Sequence, residues 1–167
     1  MLEYLSIKKA KEGDKNEFIK LIDNNLDSMY RVAKGILNRR EDIEDSIQNT
    51  IVAAYENIGQ LKEIKYFKTW LIRILINECN KIFSNNKKYD FQEVVIDSIT
   101  EDDYGDIDLM KCIKTLPQDL RVTTIMYYFE DMSIKEIAAA LIIAEGTVKS
   151  RLSRAREKLY EIMKEGE

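Results

Sequence analysis

The chain contains no histidine, which removes the side chain most often used as a general acid or base near neutral pH. Neither a phosphate-cradling glycine loop nor a nucleophile elbow compensates for that loss, so the protein is not expected to be an enzyme. One proline and six glycines in 167 residues leave few places where regular structure must break. Strand-like alternation is also missing, while Leu, Ile, Lys and Glu are abundant, so an all-α fold is expected. The two cysteines, Cys79 and Cys112, fall inside helical patterns and match neither a disulfide framework nor zinc-ligand spacing. Both are expected to be buried thiols, and no metal or cofactor is expected. No apolar run approaches the roughly 18 residues that read as a membrane span, and no charged-then-apolar leader follows Met1. The chain is therefore expected to be cytoplasmic.

The most informative stretch is Met132 to Leu159, MSIKEIAAALIIAEGTVKSRLSRAREKL, which reads as two short helices joined by a tight turn. Ser133 and Glu136 have the spacing of a capping box, and Ile134, Ile137, Ala138 and Leu141 give the first helix a buried stripe. A second helix from about Glu145 repeats Val148, Leu152, Ala155 and Leu159 on one face. Thr147, Ser150, Ser153 and Arg154 project roughly opposite, with Lys149 and Arg156 flanking them. Arginine can fork onto guanine edges or phosphates, lysine neutralises phosphate, and small hydroxyl residues permit close approach in the major groove. A solvated basic face would have the same composition. The capped helix ahead of it favours a helix-turn-helix with a DNA recognition helix.

The N-terminal half reads as a polar start followed by core-facing helices. Asp14, with Glu17 three residues on, caps a helix that buries Phe18, Leu21, Ile22, Leu26, Met29, Tyr30, Ala33 and Leu37. After the charged Arg39 to Asp42 break, a helix buries Ile43, Ile47, Ile51, Ala54 and Ile58. Its opposite face carries Glu41, Asp45, Gln48, Asn49, Val52, Tyr55 and Glu56, apolar side chains set among acids and amides as on a docking surface. Scattered exposed apolar residues are also ordinary, so geometry alone leaves both readings open. Beyond a loop from Gly59 to Tyr66, FKTWLIRILINECNKIF gives an apolar side of Phe67, Trp70, Leu71, Ile74, Leu75 and Ile82, with Phe67 and Trp70 as core. Arg73, Asn77, Asn80 and Ser84 share a stripe away from most of it, which can hydrogen-bond bases or simply be solvated.

Net charge is −4, but its distribution matters more than its sum. Residues 1–88 carry +3, residues 89–107 carry −7 and no Lys or Arg, and residues 108–167 are neutral. Two small helical domains, 1–88 and 108–167, joined by an acidic linker at 89–107, are expected. Pro117 suits a first helical turn of the second domain, with Leu120, Ile125, Met126, Tyr128 and Phe129 supplying apolar content.

EGTVKSRLSRAR (Glu145 to Arg156), LPQDLR (Leu116 to Arg121), EDIEDSIQNTIVAAY (Glu41 to Tyr55) and FKTWLIRI with Asn77 resemble bacterial alternative sigma factors of the extracytoplasmic-function type. The resemblance runs over nearly the whole chain. It implies a protein that binds core RNA polymerase and directs promoter-specific initiation, including minus-ten recognition and strand opening. Polymerase contacts fall on Asp42, Asp45, Gln48, Asn49, Val52 and Tyr55. Minus-ten contacts fall on Lys62, Lys65, Arg73, Asn77, Asn80 and Ser84, with extruded bases held in an amide-rich pocket. Minus-35 contacts fall on Thr147, Lys149, Ser150, Ser153, Arg154 and Arg156. The linker would thread through the RNA path of polymerase, although simple solvation also explains its acidity. Further implied are a membrane-anchored anti-sigma factor that holds the protein at the inner membrane face, and a monomer when free of partners. Ile142 stands where that family often has a turn glycine, and Lys81 where it often has aspartate. The turn is expected to be rebuilt or strained, and base preference to be altered. Two rival readings remain: a free-standing helix-turn-helix regulator, and a helical adaptor that does not bind DNA.

Overall fold

A computed structural model describes residues 2–87 and 107–165. The chain divides into two compact units, Met1–Glu93 and Val94–Glu167, and the described residues of both are helical without strands. Most of the acidic 89–107 segment lies outside the described residues.

The first unit contains α1 (Leu2–Lys11), α2 (Lys15–Ile36), α3 (Arg40–Asn57) and α4 (Phe67–Lys87), with 3-10 turns at Ile58–Gln60 and Ile64–Tyr66. Helix α1 corrects the expected polar start. It buries Ile7 and Ala10 but leaves Leu2, Tyr4 and Leu5 exposed, so its apolar periodicity is too weak to register in the sequence. Gly13 ends it at φ 103°, where Gly13 N–H donates to the Ala10 carbonyl and Asp14 N–H to that of Lys9. Asp14 then caps α2, its carboxylate accepting from Glu17 N–H at 3.2 Å.

Helix α2 packs on α1, α3 and α4, and α4 on both α2 and α3. Phe18, Leu21, Ile22, Met29, Ala33 and Leu37 are buried as expected, while Leu26 and Tyr30 are half-buried. On α3, Ile43, Ile47, Ala54 and Ile58 are buried and Ile51 is half-buried. Ser46 and Thr50 are also buried, donating to the carbonyls of Ile43 (2.7 Å) and Ser46 (2.6 Å), which satisfies both hydroxyls within their own helix. The buried side of α4 is wider and rotated from the expected one. Phe67, Leu71 and Leu75 are joined by Ile72, Ile76 and Cys79, whereas Trp70, Ile74 and Ile82 are half-buried. The cause is contact with two helices, which covers more than one apolar stripe. Trp70 lies beside Phe67, ring centroids 5.9 Å apart, at the margin of the core.

The second unit contains α5 (Ile107–Lys114), α6 (Gln118–Tyr128), α7 (Ile134–Leu141) and α8 (Glu145–Glu165). The LPQDLR segment makes the α5–α6 corner: Pro117 precedes the first helical residue, and Arg121 reaches back to the carbonyls of Lys114 (3.0 Å) and Leu116 (3.3 Å). These bonds satisfy acceptors freed where α5 ends, and burial moves the Arg121 guanidinium below its ordinary pKa. Leu120, Ile125 and Met126 are buried with Val122, Thr123 and Thr124, the threonines bonding back to the Asp119 and Leu120 carbonyls. Phe129 is half-buried, and Tyr128, the last residue of α6, is 52% exposed.

Both bonds of the Ser133–Glu136 capping box are present, at 3.1 and 3.3 Å. Ile137 and Ala138 are buried with Ala140, while Ile134 and Leu141 are half-buried. Helix α8 begins at Glu145 and buries Val148, Leu152 and Ala155, with Leu159 packed against the cluster of Leu116, Leu120 and Ala155. Between α7 and α8, Ile142 adopts the left-handed conformation (φ 57°, ψ 52°) and its N–H closes on the Ala138 carbonyl. The turn is thus kept in the geometry that glycine would supply, and a β-branched residue bears the strain.

Because Ile142 is 66% exposed, replacing it costs little burial. Ile142→Gly is expected to stabilise the second unit by about 0.5–1 kcal/mol, the relief of left-handed strain outweighing the added chain entropy of glycine. Denaturant titration checks this, and a neutral or negative change contradicts it. Cys79 is buried, whereas Cys112 is half-buried, contrary to expectation. Burial pushes the Cys79 thiol up to about 11; a Ser46 hydrogen bond opposes the shift and the Glu78 charge adds to it. At pH 8 a maleimide should therefore label Cys112 in the native protein and Cys79 only after unfolding, which peptide mapping reads directly.

Candidate nucleic-acid interface

Burial of Val148, Leu152 and Ala155 turns the other side of α8 to solvent. Lys149, Ser150, Ser153, Arg154 and Arg156 are all exposed there, and Thr147 is half-buried in the first turn. Lys149, Ser153 and Arg156 follow the i, i+4, i+7 stripe, and Ser150 and Arg154 the neighbouring one. Arg151, which sequence reasoning did not single out, lies between this face and the core. Its Nε is 3.9 Å from the Asp119 carboxylate of α6, a weak tie across the margin. On the opposite margin, Arg156 Nη1 donates to the Tyr128 hydroxyl at 3.2 Å, which keeps the guanidinium above its ordinary pKa.

A second polar face lies on α4. Arg73, Asn77, Asn80 and Ser84 are exposed together, opposite the buried Leu71, Leu75 and Cys79. Asn77, Asn80 and Ser84 line a shallow groove with Ile74, Glu78, Lys81 and Asn85. Glu78 and Asn85 were missed because each lies one position beyond the i, i+3, i+4 stripe that the sequence suggested. Lys81 Nζ donates to Glu78 at 3.1 Å, so the groove holds an ion pair beside its amides. These groups offer donors and acceptors to a base edge or a phosphate.

Lys62 and Lys65 are exposed on the loop leading into α4. Lys65 lies 3.6 Å from Glu63 and 5.0 Å from the Tyr66 ring centroid. The loop is tied from beneath by Lys11 of α1, whose Nζ donates to the Leu61 carbonyl at 2.6 Å. Sequence reasoning missed Lys11 along with its helix. The signal available was Gly13 directly after a lysine-rich turn, the pattern of a helix C-terminus.

The third face belongs to α3. Asp45, Gln48 and Asn49 are exposed, and so are Val52 (57%) and Tyr55 (45%). An apolar pair this open among acids and amides suits a protein partner better than solvent. One edge of Tyr55 rests on buried Phe18, ring centroids 5.2 Å apart, which fixes the exposed ring in place. Asp42 differs from the others. It is half-buried and accepts from Asn86 of α4 at 2.8 Å, with Arg39 3.9 Å away, so it joins the start of α3 to the end of α4.

Known proteins match both units. The family model described as Sigma-70 region 2 matches residues 21–89, and the one described as Sigma-70, region 4 matches residues 106–159. The ECF RNA polymerase sigma factor SigW of Bacillus subtilis (strain 168) is 29% identical over 172 residues, 92% of each chain. The ECF RNA polymerase sigma-E factor of Haemophilus influenzae is 28% identical over 176 residues, 92% of this chain and 90% of the relative. Among solved structures, the sigma factor RpoE of Bartonella quintana, in complex with the anti-sigma factor NepR, matches with a TM-score of 0.78 and 27% identity, covering 89% of this chain and 97% of that one. CnrH, solved in complex with the cytosolic domain of CnrY, shares the fold with a TM-score of 0.74 at 21% identity, over 99% of both chains. Both family models thus fall in chain order, one on each compact unit, and relatives of a single kind span most of the sequence: the chain belongs to the sigma-70 family of RNA polymerase sigma factors, as a member of the extracytoplasmic-function type.

Proposed function

We propose that this sigma factor joins core RNA polymerase through the exposed face of α3, opens and holds the minus-ten element with α4 and the loop before it, and reads the minus-35 element with α8. The carrying observation is that three helices each expose a polar face opposite a buried apolar side, in both family-matched segments. Asp45, Gln48, Asn49, Val52 and Tyr55 make the polymerase contact, with Asp42 bracing α3 from within. Lys62, Lys65, Arg73, Asn77, Asn80 and Ser84 meet the minus-ten strand. Thr147, Lys149, Ser150, Ser153, Arg154 and Arg156 meet the minus-35 duplex. Residues 1–88 and 108–167 act as the two functional domains, and 89–107 connects them. The chain contributes specificity and strand opening, while polymerase supplies the chemistry.

An anti-sigma factor is the proposed regulator, and the complex of RpoE with NepR supports a partner of that kind. Among the described residues no helix is long and apolar enough to cross a membrane, so we assign the membrane anchor to the partner. Hydrogen exchange should slow around Val52 and Tyr55 when that partner binds.

The α3 assignment separates two neighbouring acids. Asp45→Arg is expected to change stability by less than about 0.5 kcal/mol and to abolish stable binding to core polymerase. Asp42→Ala is expected to cost about 1 kcal/mol through its lost bond to Asn86. Full core binding by a folded Asp45→Arg protein overturns the docking face. On α8, Arg154→Ala should cost about 1–3 kcal/mol and relax promoter choice, whereas Lys149→Ala should weaken binding on all sequences and lower the salt slope. Promoter-selective transcription that survives both changes together rejects the recognition-helix assignment.

A further inference from the structure

Arg156 and Tyr128 sit 28 residues apart in sequence, at the ends of two different surface features, yet they meet in a hydrogen bond of 3.2 Å between exposed groups. Arginine is among the side chains with most rotamer freedom to lose, so an exposed guanidinium held by a neighbour is already partly ordered for a ligand. Tyr128 is itself fixed, because Tyr127 packs edge-on against its ring with centroids 4.9 Å apart. The hydroxyl accepts from Arg156 and keeps its own hydrogen to donate outward, while the guanidinium retains further N–H donors. Two adjacent groups that both offer hydrogens outward, one of them cationic, fit an anion. The Tyr128 ring is half open to solvent and contributes little to the core of the second unit.

Position selects which anion. Arg156 lies at the margin of the exposed face of α8, level with Lys149 and Ser153 and away from the stripe of Ser150 and Arg154. When a helix enters the major groove, its central stripe meets base edges and its margins meet the backbone on either side. Beyond Tyr128 lies a hollow lined by Tyr127, Tyr128, Asp131, Met132 and Ser133. The Asp131 carboxylate repels an anion there, which confines the ligand to the Arg156 side of the ring.

We propose that Tyr128 and Arg156 form a seat for one phosphate of the promoter backbone beside the minus-35 element, Tyr128 holding the guanidinium in place and donating its own hydroxyl hydrogen to the same phosphate. This rests on the reading of α8 as the minus-35 helix and adds to it a residue from α6, outside the recognition helix. The contact positions the domain and carries no base information.

The test uses full-length protein bound to core polymerase and a duplex selected from a randomised pool by the wild-type holoenzyme, with affinity measured across a salt series. Tyr128→Phe keeps the ring against Tyr127 and removes only the hydroxyl. It should weaken binding about three- to tenfold, equally on the selected duplex and on one with a scrambled upstream element, and leave the salt slope unchanged because no charge is lost. Arg156→Ala should lower the slope by about 1. In the Arg156→Ala background the loss from Tyr128→Phe should shrink to less than about twofold. An equal loss in both backgrounds, no loss at all, or a loss confined to the selected duplex overturns the phosphate seat while leaving α8 on DNA. Unchanged affinity and slope for Arg156→Ala remove Arg156 from the DNA, and the seat falls with it.

Discussion

The burial of Val148, Leu152 and Ala155 beneath α8 decides what that helix can touch, because 3.6-residue geometry then sends Lys149, Ser150, Ser153 and Arg154 outward. The same constraint acts on α3 through Ile43, Ile47 and Ala54, and on α4 through Leu71, Leu75 and Cys79. Each fully buried aliphatic side chain contributes about 1.5–3 kcal/mol, whereas an exposed polar substitution typically changes stability by less than about 0.5 kcal/mol. The apolar side of each helix therefore sets its orientation, and the polar side is left free to be chosen for recognition. A sigma factor supplies no chemistry of its own, so orienting such faces is the principal task of the fold.

Polar ties at the margins of these helices refine the aim that packing sets. Lys11 holds the Leu61 carbonyl beneath the loop that carries Lys62 and Lys65, and Asn86 holds Asp42 between α4 and α3. Arg121 closes the end of α5, and the Ser133–Glu136 box starts α7 at a defined residue. The ties involving backbone groups satisfy donors or acceptors that a helix end or a loop would otherwise leave to water. Their net contribution is on the order of 1 kcal/mol apiece, small beside the core but sufficient to select one loop or corner geometry over its neighbours.

Much of this was legible in the sequence where a strong local signal coincided with burial on one side only. The capping box, the start of α8 at Glu145, the α3 stripe and the exposed Val52 and Tyr55 are of that kind. Sequence reasoning failed where tertiary contact overrode periodicity. Helix α1 buries too little to show a stripe, and α4 is covered from two directions, which moved the core from Trp70 and Ile74 towards Ile72, Ile76 and Cys79. The role of Asp42 was hidden for a different reason: its partner Asn86 is 44 residues away, and no local pattern reports such a pairing. Ile142 was legible as a conflict, and the structure resolves it as a left-handed residue rather than a rebuilt turn.

Charge sets the remaining condition on function. The segment carrying α8 has no net charge, and the chain as a whole is at −4, so the excess of cations that lets an autonomous regulator grip duplex DNA is missing. Selective promoter binding should therefore emerge only when polymerase supplies the additional backbone contacts. The most direct test is transcription in vitro from fragmented genomic DNA by purified core polymerase, with and without the chain, alongside duplex binding by the chain alone. The account predicts transcripts from a discrete set of starts sharing two upstream elements, present only when chain and core are combined, and weak, salt-sensitive binding by the chain by itself. Tight, selective duplex binding by the chain alone, with no new transcripts when core polymerase is added, would contradict it.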